Sequence, residues 1–378
     1  MHPNTARWEL PHAGLLGGAA LSSARRARGA STPHAPSRAG AEFRIALCAP
    51  LRGPEGIWGP SCLASARLAQ DELNRWSGIT GRPCELHIVD ASAEAQGVED
   101  TLAELVERGE VDALVGMCIS SVRQRIVSAV GGRVPFVYTC LYEGGDASPG
   151  LYAIGETAAR QLEPSIAWLS THRRARRWML VGNDYVWPRM SHRIAKRSIA
   201  AAGGEVVAET FLPFGLSDYS QVIDQLCAAR ADALLISMVG QDAVELNRAF
   251  GHAGLPSRVL RLSCAIEENQ LLAIGAEHTD NLYVAMGYFA ALQTDANLAF
   301  KERYHARFGA RAPALNTIGQ SLYEGMHFLS ALLETRPAVA SLPYASARQQ
   351  DAASAAAGSL PIYLAAADGH AFRVITRC

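Results

Sequence analysis

The chain has no apolar run of the roughly 18 residues that a membrane-crossing helix requires. Its charge has no dominant sign, with 35 lysines and arginines against 36 aspartates and glutamates. The first absence excludes a helical membrane span. The second removes the basic surface that binding to nucleic acid or an anionic membrane would call for. The eight cysteines, at positions 48, 62, 84, 118, 140, 227, 264 and 378, include no CxxC pair. That pattern offers neither a sequence-defined zinc site nor a small disulfide framework, so no metal and no cofactor is expected. Unpaired cysteine in this number points to a reducing compartment.

What is present is an ordinary globular balance, 49% hydrophobic and 19% charged over 378 residues, enough for more than one packed unit. The first 42 residues differ from the rest, with Arg7, Arg25, Arg26, Arg28 and Arg38 among prolines and serines, and read as a disordered N-terminal extension. Within it GLLGGAAL (Gly14 to Leu21) is short and glycine-diluted, and an arginine pair follows it instead of preceding it. An export signal has the opposite order. The location is therefore periplasmic only with a different start, and otherwise cytoplasmic.

From Phe43 onward short apolar runs alternate with amphipathic segments. FRIALC, CELHIVD, ALVG, PFVY, RWMLVG, EVVAETF, ALLISMVG, RVLRLS and NLYVAM read as strands. Helical patterns cover Leu63 to Asn74, Val98 to Arg108, Arg123 to Val130, Leu162 to Ser170, Ser191 to Ala202, Tyr219 to Ala229 and Ala243 to His252. Repeated βα units build parallel sheets flanked by helices. There are too many strands for one sheet, so two doubly wound parallel-sheet lobes of α/β class are expected. Beyond Leu333 an alanine- and serine-rich stretch reads as a linker before two short strands, PIYLA and AFRVI.

In such sheets ligands bind beyond the carboxyl ends of the strands. After ALVG come Ser120 and Ser121, suited to capping a helix whose free N–H groups could meet a carbonyl or carboxylate oxygen. After PFVY come Cys140, Tyr142 and Glu143; Tyr138 and Tyr142 could wall a pocket, and Glu143 could accept from a ligand N–H or pair with an arginine. After RWMLVG comes NDYVWPR, which places two aromatic rings where a short loop would suffice. Cys48, Cys118, Cys140 and Cys264 all fall at strand ends, which raises the prospect of a soft or redox-sensitive thiol cluster.

These segments together resemble the type I periplasmic-binding-protein family, in its urea and short-chain amide receptor and amide-sensor branch. The resemblance covers Phe43 to about Leu333 and rests on GITGRPCELHIVD, VGMCISSVRQRI, YTCLYEGGDASPGLYAIG, LVGNDYVWPRMSHRI and LRLSCAIEENQL followed by VAMGYFAALQTDAN. It implies two lobes joined by a hinge, lobe 1 from 43–158 and 285–335, lobe 2 from 159–284 and 336–378. It further implies that Ser120, Tyr138 and Cys140 hold a ligand on the first lobe, that Tyr185 and Trp187 close from the second, and that Val239, Gly240, Gln241 and Ser263 line the floor. Cys118, Cys140, Trp187 and Ala91 depart from the family pattern, which puts the identity of the ligand in doubt.

The implied function is non-catalytic binding of urea or a short-chain amide as the solute receptor of an ABC-type transporter, with a permease as partner. The alternative is a cytoplasmic amide sensor that controls a regulatory protein. An amidase using Cys118 or Cys140 would need a neighbouring base, and no histidine accompanies either thiol in the sequence.

Overall fold

The computed structural model describes residues 42–334 and 361–378. The expectations for residues 1–41 and for the linker and lobe boundaries within 335–360 lie outside the described residues.

The first half alternates β1 (Phe43–Ala49), α1 (Gly59–Trp76), β2 (Cys84–Asp90), α2 (Val98–Glu107), β3 (Ala113–Gly116), α3 (Ser120–Val130), β4 (Phe136–Tyr138) and β5 (Leu151–Ala153). The second continues with α4 (Ala158–His172), β6 (Arg177–Asn183), α5 (Val186–Ala201), β7 (Glu205–Leu212), α6 (Ser220–Ala228), β8 (Ala233–Ser237), α7 (Gly240–His252) and β9 (Leu260–Ser263). There follow α8 (Glu268–Ile274), β10 (Leu282–Met286), α9 (Asp295–Phe308), α10 (Thr317–Glu334), β11 (Tyr363–Asp368) and β12 (Ala371–Arg377).

The strands form two sheets, one ordered β2-β1-β3-β4-β5 and one ordered β12-β11-β10-β9-β8-β6-β7. In the first every pairing is parallel, and β1 lies between β2 and β3: Ile45 is opposite Leu86 on one side and Ala113 on the other. The second repeats this order from β7 to β10 and then adds β11 and β12 as an antiparallel pair, Val284 opposite Ala365. Each sheet is covered on both faces, because alternate side chains of a strand point to opposite sides. On β6, Trp178 and Leu180 join one core while Met179 and Val181 join another; on β8, Ala233 and Leu235 divide in the same way from Leu234 and Ile236.

Several elements differ from the sequence reading. β5, α8, α9 and α10 have no counterpart in it. α3 and α5 begin earlier than expected, at Ser120 and Val186, which draws Trp187 into the first turn of a helix. The expected return to the first lobe at 285 falls inside β10, so Ala285 and Met286 stay in the second sheet.

The chain passes between the sheets after β5 and again after β10. These passages are tied together: buried Glu156 accepts a hydrogen bond from Gly287 N at 3.1 Å.

Candidate ligand-binding site

Each sheet has a point where successive strands run outward in opposite directions, between β1 and β3 in the first and between β6 and β8 in the second. A crevice opens beyond the carboxyl ends at such a point. Here the two crevices face one another and enclose a cavity of about 20 Å³, room for about one water.

The first sheet contributes Trp58, from the 3₁₀ turn Pro54–Trp58 after β1, then Met117 to Ser120 after β3, and Tyr138, Cys140 and Leu141 from β4 and its loop. The second contributes Tyr185 and Trp187 after β6 and Val239 after β8. The backbone permits this approach only because of two glycines. A Cβ on Gly116 would lie 2.0 Å from Cys48 O, so β3 could not run beside β1 with any other residue there. A Cβ on Gly240, whose φ is +58°, would lie 2.0 Å from Pro54 O, and through this contact the turn after β1 rests on the start of α7.

The two aromatic rings after β6 are held by their neighbours. Asn183, fully buried, accepts from Val239 N at 3.0 Å and donates to Asp242 Oδ2 at 2.7 Å, which ties the end of β6 to the start of α7. Tyr185 stands just ahead of α5 in extended conformation, and Pro188 falls in the helix's first turn, where a missing N–H costs nothing. The Tyr185 ring packs against Trp187 and Phe214, with centroids 6.4 and 5.5 Å apart. Tyr138, from the other sheet, donates to Cys118 O at 2.7 Å, so its hydroxyl is already satisfied.

Two donors in the wall are not. Trp58 and Trp187 are 3% and 2% exposed, and neither indole Nε1 has an acceptor. A buried donor without an acceptor costs about 1–3 kcal/mol. A guest with an oxygen at this place would relieve that cost.

Of the residues singled out in the sequence, Ser120, Tyr138, Cys140, Tyr185, Trp187 and Val239 line the cavity. Six others lie outside its wall. Ile119, not Ser120 or Ser121, caps α3, and no side chain makes a capping bond; Ser121, one position on, is turned by about 100° from Ser120 on the helix. Gly240 is occupied by its contact with Pro54. Gln241 donates to Glu245 Oε1 at 2.6 Å, and Ser263, fully buried, accepts from Ala265 N at 3.1 Å, so neither forms a floor.

Glu143 takes the second course the sequence left open: it pairs with Arg123 Nη2 at 2.9 Å, while Asp146 approaches the same nitrogen at 3.3 Å. The Arg123 guanidinium lies 5.0 Å from the Tyr138 ring centre and 5.6 Å from that of Tyr142. Tyr142 thus clamps the arginine behind the wall. Trp58, Met117, Ile119 and Leu141 are wall residues that the sequence reading did not name as ligand contacts.

Of the four thiols, Cys118 has Cys48 and Cys140 within electrostatic reach, while Cys264 shows no cysteine neighbour, and burial disfavours the thiolate in all of them. Burial raises Cys118 well above the usual thiol range, with Cys48 and Cys140 adding to the effect, and burial alone pushes Cys48 up to about 12. Protonated thiols are neither nucleophiles nor ready metal ligands. Among the described residues no group of three or more histidine, cysteine or acidic side chains is placed to hold a metal, and no histidine lines the cavity. The cluster acts as small apolar filler.

Solved structures similar to this chain include a periplasmic binding protein from Burkholderia mallei, with TM-score 0.76 and 17% identity over 89% of this chain and 94% of that one. A branched-chain amino acid transporter substrate-binding protein from Streptococcus pneumoniae, in complex with isoleucine, aligns with TM-score 0.74 and 16% identity over 89% and 98%. A solute-binding protein of an ABC transporter from R. palustris, in complex with benzoate, aligns with TM-score 0.74 and 16% identity over 89% and 96%. At these identities the likeness speaks for the fold. A family model described as periplasmic binding protein matches residues 42–372, nearly the whole described chain. The chain belongs to the periplasmic binding protein family, a family of non-catalytic solute-binding proteins.

Proposed function

We propose that the protein is the solute receptor of an ABC-type transporter, that it works in the periplasm with a permease as partner, and that its solute is small and uncharged, of the urea or short-chain amide class. One observation carries the solute class: no residue lining the cavity holds a charge at neutral pH, while two indole N–H groups in it lack acceptors. A carboxylate guest would bury its charge without a cation to meet it, which is costly. Arg123, the nearest candidate, is already engaged by Glu143 and Asp146. A neutral carbonyl oxygen answers both indoles without that penalty.

Size supports the same reading. Urea or acetamide has about four heavy atoms, and at a ceiling of roughly 1.5 kcal/mol per atom gains about 6 kcal/mol, a dissociation constant of tens of micromolar. Isoleucine or benzoate has roughly twice as many atoms, so it would need the two sheets to stand further apart than urea or acetamide does.

The sensor alternative drew on unpaired cysteines. Six of the eight are buried and serve as small apolar filler in the core, a role that does not depend on the compartment. Titration calorimetry with urea, formamide, acetamide, isoleucine and benzoate tests the proposal. Binding of one of the first three at tens of micromolar is the expected result. Binding confined to isoleucine or benzoate would overturn the solute class.

A further inference from the structure

The seam between the two sheets holds a carboxyl group that the solute site does not use. Glu55 sits in the 3₁₀ turn after β1, 1% exposed, and the donors that reach its carboxyl group are backbone N–H groups, its own and that of Ala93. Its own turn presses on the second sheet's side. Pro54 O and Glu55 N crowd Gly240 at the start of α7. Asn269, on α8, donates from Nδ2 to Ile57 O at 2.8 Å. The groups that face Glu55 are acidic: Asp242 from α7 and Glu94 from the segment after β2. The Tyr185 phenol, ahead of α5, is also within electrostatic reach. Asp242 is itself buried, but it is satisfied by Asn183 Nδ2 at 2.7 Å and by Gly215 N at 3.1 and 3.2 Å from its two oxygens. The first turn of α1 and the contact from α8 bring neutral residues.

The cavity is narrow and lined from both sheets, so a solute larger than a water enters as they separate. Separation withdraws α7 from the turn and returns Glu55 to water. We propose that Glu55 couples closure of the cleft to uptake of one proton: the side chain enters the seam as a neutral carboxylic acid and leaves it as a carboxylate, the proton coming from and returning to solvent. Closure takes the carboxyl out of water and sets it beside two carboxylates, a cost that the backbone N–H groups of Glu55 and Ala93 offset only in part, so ionisation and closure oppose each other. Burial, reinforced by Asp242 and Glu94, raises Glu55 from the ordinary 4.5 to about 7.

The sign follows from linkage. The closed form has the higher pKa, so this contribution to closure is complete below the open-state value of 4.5 and is lost as pH rises through about 7. Between pH 5.5 and 7.5 the closed-to-open ratio should fall about twentyfold.

The test uses the full chain without added solute, so it succeeds or fails independently of the solute class. Small-angle scattering reports compactness, and tryptophan emission reports whether Trp58 and Trp187 are dry. The wild type should be compact with blue-shifted emission at pH 5.5 and shift toward the open form by pH 7.5. Glu55→Gln should stay closed across the range, with less than a twofold change, and Glu55→Met, a second neutral side chain, should behave alike. Asp242→Asn should keep the transition but move its midpoint to lower pH. A wild type that does not change with pH, a Gln or Met variant that follows the wild-type profile, or an Asp242→Asn variant that abolishes the transition would overturn the proposal.

Discussion

Between β1 and β3 the chain meets the cavity with small and sulfur-bearing groups, Met117, Cys118 and Ser120, flanked by the rings of Trp58 and Tyr138 and backed by a buried ion pair. Between β6 and β8 it meets it with the broad rings of Tyr185 and Trp187, backed by the amide of Asn183. The strand order around both points is the same. The topology therefore settles where a guest sits, and the loops settle what it touches. The first wall is braced by an arginine–carboxylate pair and the second by the Asn183 amide, which bonds a backbone N–H and the Asp242 carboxylate. The first should fail by loss of stability and the second by loss of fit.

The largest effect should come from the brace of the first wall. Arg123→Ala leaves Glu143 and Asp146 buried without their cation, and breaking such a pair costs about 3–5 kcal/mol. Urea denaturation should show this loss; a change under 1 kcal/mol would mean that the pair contributes little and that the two walls are braced alike.

Next come the two glycines, one at each point. Gly116→Ala places a methyl group against the backbone of β1 and should lower stability by about 1–3 kcal/mol, visible as a reduced melting temperature. Gly240→Ala carries the strain of a positive φ whether the cleft is open or shut and meets Pro54 in addition when it is shut, so part of its cost of about 1–3 kcal/mol should fall on closure. The melting temperature should fall less than in Gly116→Ala while scattering shows a more open molecule. Equal melting losses in the two variants would erase the distinction.

The smallest effect concerns the indoles. Trp187→Phe keeps the ring surface and removes one donor, so affinity for acetamide should fall by about 0.5–1.5 kcal/mol, and Trp58→Phe should act similarly. Calorimetry reads both. An unchanged affinity would show that the guest's oxygen points elsewhere.

The fold was legible in the sequence wherever the pattern had a period. Strand runs such as RWMLVG and ALLISMVG stand out because both faces of a parallel sheet are covered. α10 was not legible for the opposite reason: from Thr317 to Met326 every residue is buried, so the helix shows no polar side to set its period. β5 was missed because three half-buried residues make no pattern.

The site was legible in part for a related reason. The rule of strand ends pointed to Ser120, Tyr138, Tyr185, Trp187 and Val239, all of which line the cavity. The same rule applied to β1 would have reached Trp58, but GPEGIWGP reads as a plain turn on account of its glycines and prolines. Ser263 misled because β9 lies one strand beyond the point where the crevice opens. For Glu143 the sequence left a ligand and an arginine equally open, because a linear reading cannot place Arg123 of α3 beside it.

The tightness of the enclosure has a temporal consequence. A guest held between Trp58 and Tyr138 on one side and Tyr185 and Trp187 on the other leaves readily only as the two walls draw apart. Its dwell time is then governed by how often the two halves part, a collective movement on the microsecond-to-millisecond scale, and not by the strength of any single bond to it.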